Sequence, residues 1–509
     1  MRICTKNQIY ELQKTIIATF SIILKLHKQK RDQEAYPVIA ELQQAMIEMG
    51  ESIEKEEGIG TKAVSYLEHA CEMLYQSANA PNAIVATKYI ENAQEDYIKC
   101  INSIRNDIPN DKIKIVFFPY KASMWTAMES IWEAANKDEL CDVKVVVIPY
   151  SLLNNAGETV KEVCETDKFP KYVPIADYRE YRVEEERPDI VIIHNPYDET
   201  NTLTRVPECY YSYNLKQYTN CLVYSPYHTI GGFIKGTTDS FIAPQAAIVA
   251  DKVVVQSEFV KQIYLSNGFD NDKLLAYGSP KADAIVHLGD AWQIPDEWSE
   301  KLRGKKKIFL LNTHWSYFIK GKQNEKNGKW DFAVRFHEEF MKAVEERKDE
   351  IGIIWRPHPL MFDANNQRAK ECIPYIENLI KRMEDSDFAI VDRMEDYRYA
   401  FRVADAMVTT YSSLLNEYLI TGKPVMIFQT KPTDEVGEAS PIDHRSCYFR
   451  FPKDGGMPFE EFLDMVLIEN DEKYEERMRI LREKSFANLD GTAGEEIYKH
   501  LMKEMGVQV

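Results

Sequence analysis

No CxxC pair occurs in this chain, and none of its 9 cysteines stands at zinc-like spacing from a histidine. The set is odd in number and scattered from Cys4 to Cys447, which excludes a disulfide framework and fits reduced thiols in a cytoplasmic protein. Long apolar runs are also missing. The stretch from Ile16 to Leu24 is far shorter than the about 20 residues that a bilayer crossing needs. The N-terminal segment spreads its charges evenly and has no small-residue cleavage site, so it does not read as a signal peptide. Basic residues are the minority, 63 Lys and Arg against 81 Asp and Glu, for a net charge of −18. Such a surface repels phosphate backbones, and nucleic acid is not expected as a partner. HExxH, GxSxG and Walker patterns are absent, and Gly231, Gly232 and Gly236 do not spell the dinucleotide fingerprint. These absences disfavour proteases, hydrolases with serine triads, kinases and dehydrogenases.

What remains is an ordinary globular composition, 44% hydrophobic and 28% charged, in a chain of 509 residues. Length alone suggests roughly three units. Residues 1–105 carry helical periodicity without strand signals. Ile9, Leu12, Ile16 and Phe20 are placed on one face of a first helix, and three further helices are expected at about 35–55, 60–78 and 82–104. From Lys112 onward, continuous apolar runs alternate with helical segments: IKIVFFPY, VKVVVIPY, PDIVIIHNPY, CLVYSPY and KVVVQS, then KKIFLLNTHWS, IGIIWRPHP, FAIVD, DAMVTTYSS and KPVMIFQ. That texture predicts parallel sheets covered on both faces. The fold class is therefore α/β, with two successive doubly wound Rossmann-like domains behind a helical N-terminal region. The divisions fall at 1–108, 109–290 and 291–509, the last including C-terminal helices.

Ligands in such sheets bind outside the carboxyl ends of the strands, and four polar constellations fall there. Ser412 and Ser413 stand between the strand DAMVTT and a helix closed by Gly422, where hydroxyls and free backbone N–H groups suit a phosphate. Simple capping of a strand–helix unit is the bland reading of the same residues. Arg356-Pro-His-Pro359 ends the strand IGIIW, with two prolines fixing His358 and a forked cation on Arg356. His228, in Tyr227-His-Thr-Ile-Gly-Gly232, is placed to take a proton from an acceptor hydroxyl, or else is a hydrogen-bonded loop histidine. Asn312-Thr-His-Trp-Ser316 supplies His314, and Thr410 and Tyr411 join it as candidate substrate contacts. Asp270 and Asp272 have metal-like spacing but read as a solvated turn, so no metal and no other cofactor is expected.

Taken in order, these residues resemble the CDP-glycerol glycerophosphotransferase family of teichoic acid and related polymer synthesis, over roughly residues 112–440. The resemblance is carried by VFFPYKASMWTAMESIW, by the loop of His228, by VVQSEFVKQIY with GFDNDKLLAYGSPKAD, by RPHP, and by AMVTTYSS with LLNEYLITGKPVMIF. It implies the GT-B arrangement and transfer of glycerol or ribitol phosphate from a CDP-activated donor to a hydroxyl on a polymer or saccharide acceptor. It further implies that His228 is the acceptor base, while His358 with Arg356, and Ser412 with Ser413, hold the donor pyrophosphate. Thr410 stands where the family usually has an aspartate, and Tyr227-His-Thr-Ile-Gly and Asn312-Thr-His-Trp also depart from its pattern. A GT-B nucleotide-sugar glycosyltransferase or related epimerase is the alternative, and a non-catalytic scaffold of the same fold is a third reading. The helical front is expected to make protein contacts, homo-oligomerisation among them. Peripheral attachment at the inner face of the membrane is the lesser expectation, because the segment from Glu34 to Glu57 is strongly acidic.

Overall fold

The computed structural model describes residues 1–154, 156–231, 242–289, 294–318, 329–358, 361, 372–428, 440–451 and 455–507. Gly232, Gly236, Pro359 and Gln429 lie outside them. The chain divides into two compact units. One comprises Met1–Ile113 with Glu139–Asp142 and Lys499–Val509, the other Lys114–Asp138 with Val143–Tyr498.

In the first unit, four helices run Ile3–Lys28, Asp32–Glu57, Lys62–Ala78 and Ala83–Asn106. Thr61 and Asn82 cap the third and fourth by accepting from Val64 N and Val85 N, as short polar side chains do at a helix start. Each helix turns one apolar stripe inward, and Phe20, Ile39, Met46, Leu67, Leu74, Ile90 and Tyr97 meet in a shared core. The stripes thus partner one another. Leu12 is a correction: at 100° per residue it falls about 60° off the Ile9–Ile16–Phe20 line, and it is 51% exposed. Ile23 and His27 extend the buried face instead. Among the described residues, no helix is long and apolar enough to cross a membrane.

The second unit holds two seven-stranded sheets. The first is ordered Leu274–Leu275, Lys252–Val254, Cys221–Tyr224, Ile190–Ile193, Ile113–Phe118, Cys141–Val146, Ile175–Ala176. The second runs Ala389–Val391, Ile351–Trp355, Lys307–Asn312, Ala406–Thr409, Val425–Phe428, Tyr448–Phe451, Gly455–Gly456. In the second sheet every neighbour is parallel except the last pair. In chain order each sheet begins in the middle, builds outward to one side, then returns to build the other. This is the doubly wound order, and it leaves a crevice where the direction reverses. The runs predicted as strands are buried on both faces, as Ile190–Ile193 and Val425–Phe428 illustrate. A small antiparallel sheet of Thr159–Val163, Tyr150–Leu153 and Thr204–Arg205 was not legible, because its strands are short and one is largely exposed.

The C-terminal helix Ala493–Glu504 begins beside the first sheet's helices. The buried Asp283 carboxylate accepts from Ala493 N at 3.1 Å and Gly494 N at 2.7 Å, satisfying two of the orphan donors at that helix start. No disulfide joins any of the nine cysteines.

Candidate functional site

In the second sheet the order reverses between Lys307–Asn312 and Ala406–Thr409, and the predicted donor residues gather there. Asn312 ties the strand ends together. Its Nδ2 donates to the Arg356 carbonyl at 2.8 Å, and its Oδ1 accepts from the Ser412 hydroxyl at 3.0 Å. The buried Thr410 hydroxyl accepts from His314 N at 2.9 Å. Thr410 thereby fixes the backbone that presents His314. The His314 and His358 rings meet edge to face at 5.1 Å. Burial, reinforced by His314, holds His358 down to about 4, so its imidazole is neutral at physiological pH.

The serines divide their roles. Ser412 is the N-cap, accepting from Leu415 N at 3.3 Å while donating to Asn312. Ser413 is exposed, and its hydroxyl makes no hydrogen bond among the described residues. The helix they open, Ser413–Tyr418, is only six residues long before a 3-10 turn continues it. Its macrodipole is correspondingly small, and local N–H and hydroxyl donors carry any anion binding there. Gly422 closes the element at φ 72°, where a Cβ would strike Met478 Sδ at 2.9 Å. Arg356 is turned away from a free role. Its Nη1 pairs with Asp392 at 2.6 Å and its Nη2 donates to the Glu395 carbonyl at 3.2 Å. Tyr411 packs edge to face on His444, 5.2 Å between centroids.

His228 lies on the carboxyl side of Cys221–Tyr224 in the first sheet, half-buried in a small pocket with Ile230, Gln256, Tyr264, Ser279 and Pro280. Gln256 clamps this loop from both sides, accepting from Ile230 N at 2.8 Å and donating back to the Ile230 carbonyl at 3.1 Å. The loop also rests on the helix that Ser413 opens. A Cβ on Gly231 would sit 2.1 Å from Asn416 Nδ2, so only glycine allows that approach. Lys281 Nζ donates to the Tyr227 carbonyl at 2.7 Å and pairs with Glu417 at 2.5 Å. His228 is therefore held beside the Ser413 helix, while His314, His358, Thr410 and Ser412 form a second group at that helix's start. Asp270 and Asp272 are both exposed, with Asp272 inside the short turn Asn271–Lys273 and Asp270 preceding it.

Asn312, Gln256, Lys281 and Asn416 hold these loops and strand ends in place, and local pattern hardly marks them. Asn312 stands in a recognised strand end, and its polarity after an apolar run is the available signal. Lys281 and Glu417 are 136 positions apart, and nothing local links them.

Paired doubly wound sheets, with histidines and hydroxyls at the reversal of strand order, define a protein of the GT-B type. Solved structures agree at the level of fold. A variant of the wall teichoic acid polymerase TagF matches with a TM-score of 0.51 at 15% identity, covering 87% of this chain and 98% of that one. A UDP-N-acetylglucosamine 2-epimerase also reaches 0.51, at 13% identity, covering 78% and 98%. In sequence, a teichoic acid poly(ribitol-phosphate) polymerase of Bacillus spizizenii is 25% identical over 258 residues, 49% of this chain. The match spans only 37% of that relative's length. Residues 237–503, just over half of the chain, match the model of the CDP-glycerol:poly(glycerophosphate) glycerophosphotransferase family. The chain belongs to that family.

Proposed function

We propose that this protein transfers a polyol phosphate, glycerol or ribitol phosphate, from a CDP-activated donor to a hydroxyl of a cell-envelope or capsular polymer. The observation that carries this reading is the pairing of His228 on one sheet edge with His314, His358 and Ser413 on the other, through Asn416 and the Lys281–Glu417 pair. His228 takes the acceptor proton as the acceptor oxygen bonds to the phosphorus that carries the polyol. The bridging P–O bond of the pyrophosphate breaks, and CMP leaves. Phosphoryl transfer depends mainly on positioning and charge stabilisation, which rigid strand ends supply. Neutral His358 and the Ser413 hydroxyl donate to the pyrophosphate oxygens, with Arg356 steadying the RPHP strand end through Asp392. His314, Thr410 and Tyr411 complete the donor side. The proposed setting is cytoplasmic.

The fold shared with a UDP-N-acetylglucosamine 2-epimerase supports a second reading, in which the same strand ends hold a nucleotide sugar. Purified protein offered CDP-glycerol, CDP-ribitol and UDP-sugars separates the two. CMP release with acceptor growth supports polyol-phosphate transfer. UDP release, or epimerisation without transfer, replaces it.

A further inference from the structure

Lys121 stands just beyond the carboxyl end of Ile113–Phe118, in the middle of the first sheet. Its ammonium lies 5.5 Å from the Tyr120 ring centroid and 5.1 Å from that of Tyr150, two rings set edge to face at 5.6 Å. It makes no hydrogen bond or ion pair among the described residues. Glu165, the carboxylate that acts on it, is already engaged, accepting from the Tyr150 hydroxyl at 2.7 Å and Ala122 N at 2.9 Å, with Lys168 at 3.9 Å. Burial lowers the Lys121 pKa, with Glu165 opposing, so the surroundings do not fully compensate the charge.

A second, independent observation comes from the adjoining strand end. His194 is fully buried, and its Nε2 accepts from Tyr120 N at 3.1 Å. In the neutral imidazole the proton therefore sits on Nδ1. That Nδ1 has no hydrogen-bond partner among the described residues. A buried donor without a partner costs free energy that a ligand's acceptor would recover. The rings are contiguous: His194 is 4.9 Å from Tyr120 and 6.2 Å from Tyr227, and Tyr227 is 5.6 Å from His228.

We propose that Lys121, framed by Tyr120 and Tyr150, together with the Nδ1–H of His194, forms a subsite for a phosphate of the acceptor. On the phosphodiester-linked polyol acceptor that the family's description already names, one phosphate rests at Lys121 while the terminal hydroxyl reaches His228. Lysine suits this role as a compact point charge that accepts any phosphate orientation. The assignment rests on reading the first sheet's edge as the acceptor side.

The test compares binding of a synthetic glycerol-phosphate trimer with that of unphosphorylated triglycerol, by calorimetry on the full chain. Wild type should prefer the phosphorylated probe at least tenfold. Lys121→Met, which keeps the stem against the tyrosines, should bring that ratio close to one, and Lys121→Arg should retain most of it. An unchanged ratio in a Lys121→Met protein of normal melting temperature overturns the proposal. Should that variant fail to fold, selectively labelled histidine in wild type decides. The His194 ring signals shift with the trimer and not with triglycerol if the subsite exists, and absence of that shift overturns it. CMP release from the donor is read separately. Trimer binding through Lys121 without CMP release would refute the transfer reading alone, and CMP release with no phosphate preference would refute the subsite alone.

Discussion

Lys281 and Glu417 form a buried ion pair, their side chains 7% and 4% exposed, and the same ammonium donates to the carbonyl of Tyr227. One charge therefore fastens the residue before His228 to the helix that Ser413 opens. Removing one partner strands the other charge away from water. The second Glu417 oxygen already lacks a hydrogen bond among the described residues, which sharpens the effect.

Lys281→Met should accordingly destabilise the protein by about 3–5 kcal/mol, and Lys281→Met with Glu417→Leu should recover most of that loss. Urea unfolding of the two variants checks it. Additive losses would show that the pair is not the unit of stabilisation.

Ser413→Ala and Ser412→Ala should behave differently. The first removes a hydroxyl that the fold does not use, and should weaken nucleotide binding by about 1.5–3 kcal/mol, at least tenfold, with an unchanged melting temperature. The second removes a cap and an Asn312 bond, and should cost about 1 kcal/mol of stability as well. Nucleotide titrations paired with thermal melts distinguish them. Equal donor affinity in wild type and Ser413→Ala would remove Ser413 from the donor site.

His228→Ala should lower turnover by about 10²–10⁴ while donor affinity changes little, since its proposed contact is with the acceptor. Steady-state rates and a donor titration on the same preparation are sufficient. Matching losses in both would move His228 to the donor side.

Stability should fall as pH drops from about 6.5 toward 4. Burial holds His358 and His444 at about 4, and His194 and His337 at about 3. In that window the unfolded chain takes up protons on these rings and the folded chain does not, so lower pH favours unfolding. Each ring contributes roughly 1.4 kcal/mol per pH unit where it is neutral folded and charged unfolded. Asp198, pushed up to about 6 by burial, acts in the opposite sense with a single proton. Urea midpoints at pH 7 and pH 5 should show the net decrease, and a flat profile would mean that the histidines are hydrated.

The sheets were legible because doubly buried strands such as IVII and VMIF leave an unbroken apolar signature. Strand ends were legible as the polar residues that follow, which is how His228, His358 and Ser412 stand out. Their partners were not. Thr410 departs from a family pattern, and only the structure shows its hydroxyl positioning His314. Arg356 suits a phosphate by residue type, yet its guanidinium turns to Asp392, 36 positions away. Leu12 satisfies a three-and-four spacing while lying off the buried stripe. Spacing reports which face a residue shares, and long-range partners decide what its atoms do.

The residues from Lys499 on belong to the same compact unit as the four N-terminal helices, with Asn7 Nδ2 donating to the Met505 carbonyl across 498 positions. On the ribosome the four helices are complete long before this segment is made. At about 5–20 residues per second, the helices wait tens of seconds for that segment. Throughout that interval the bundle carries uncovered the surface that this segment later packs against.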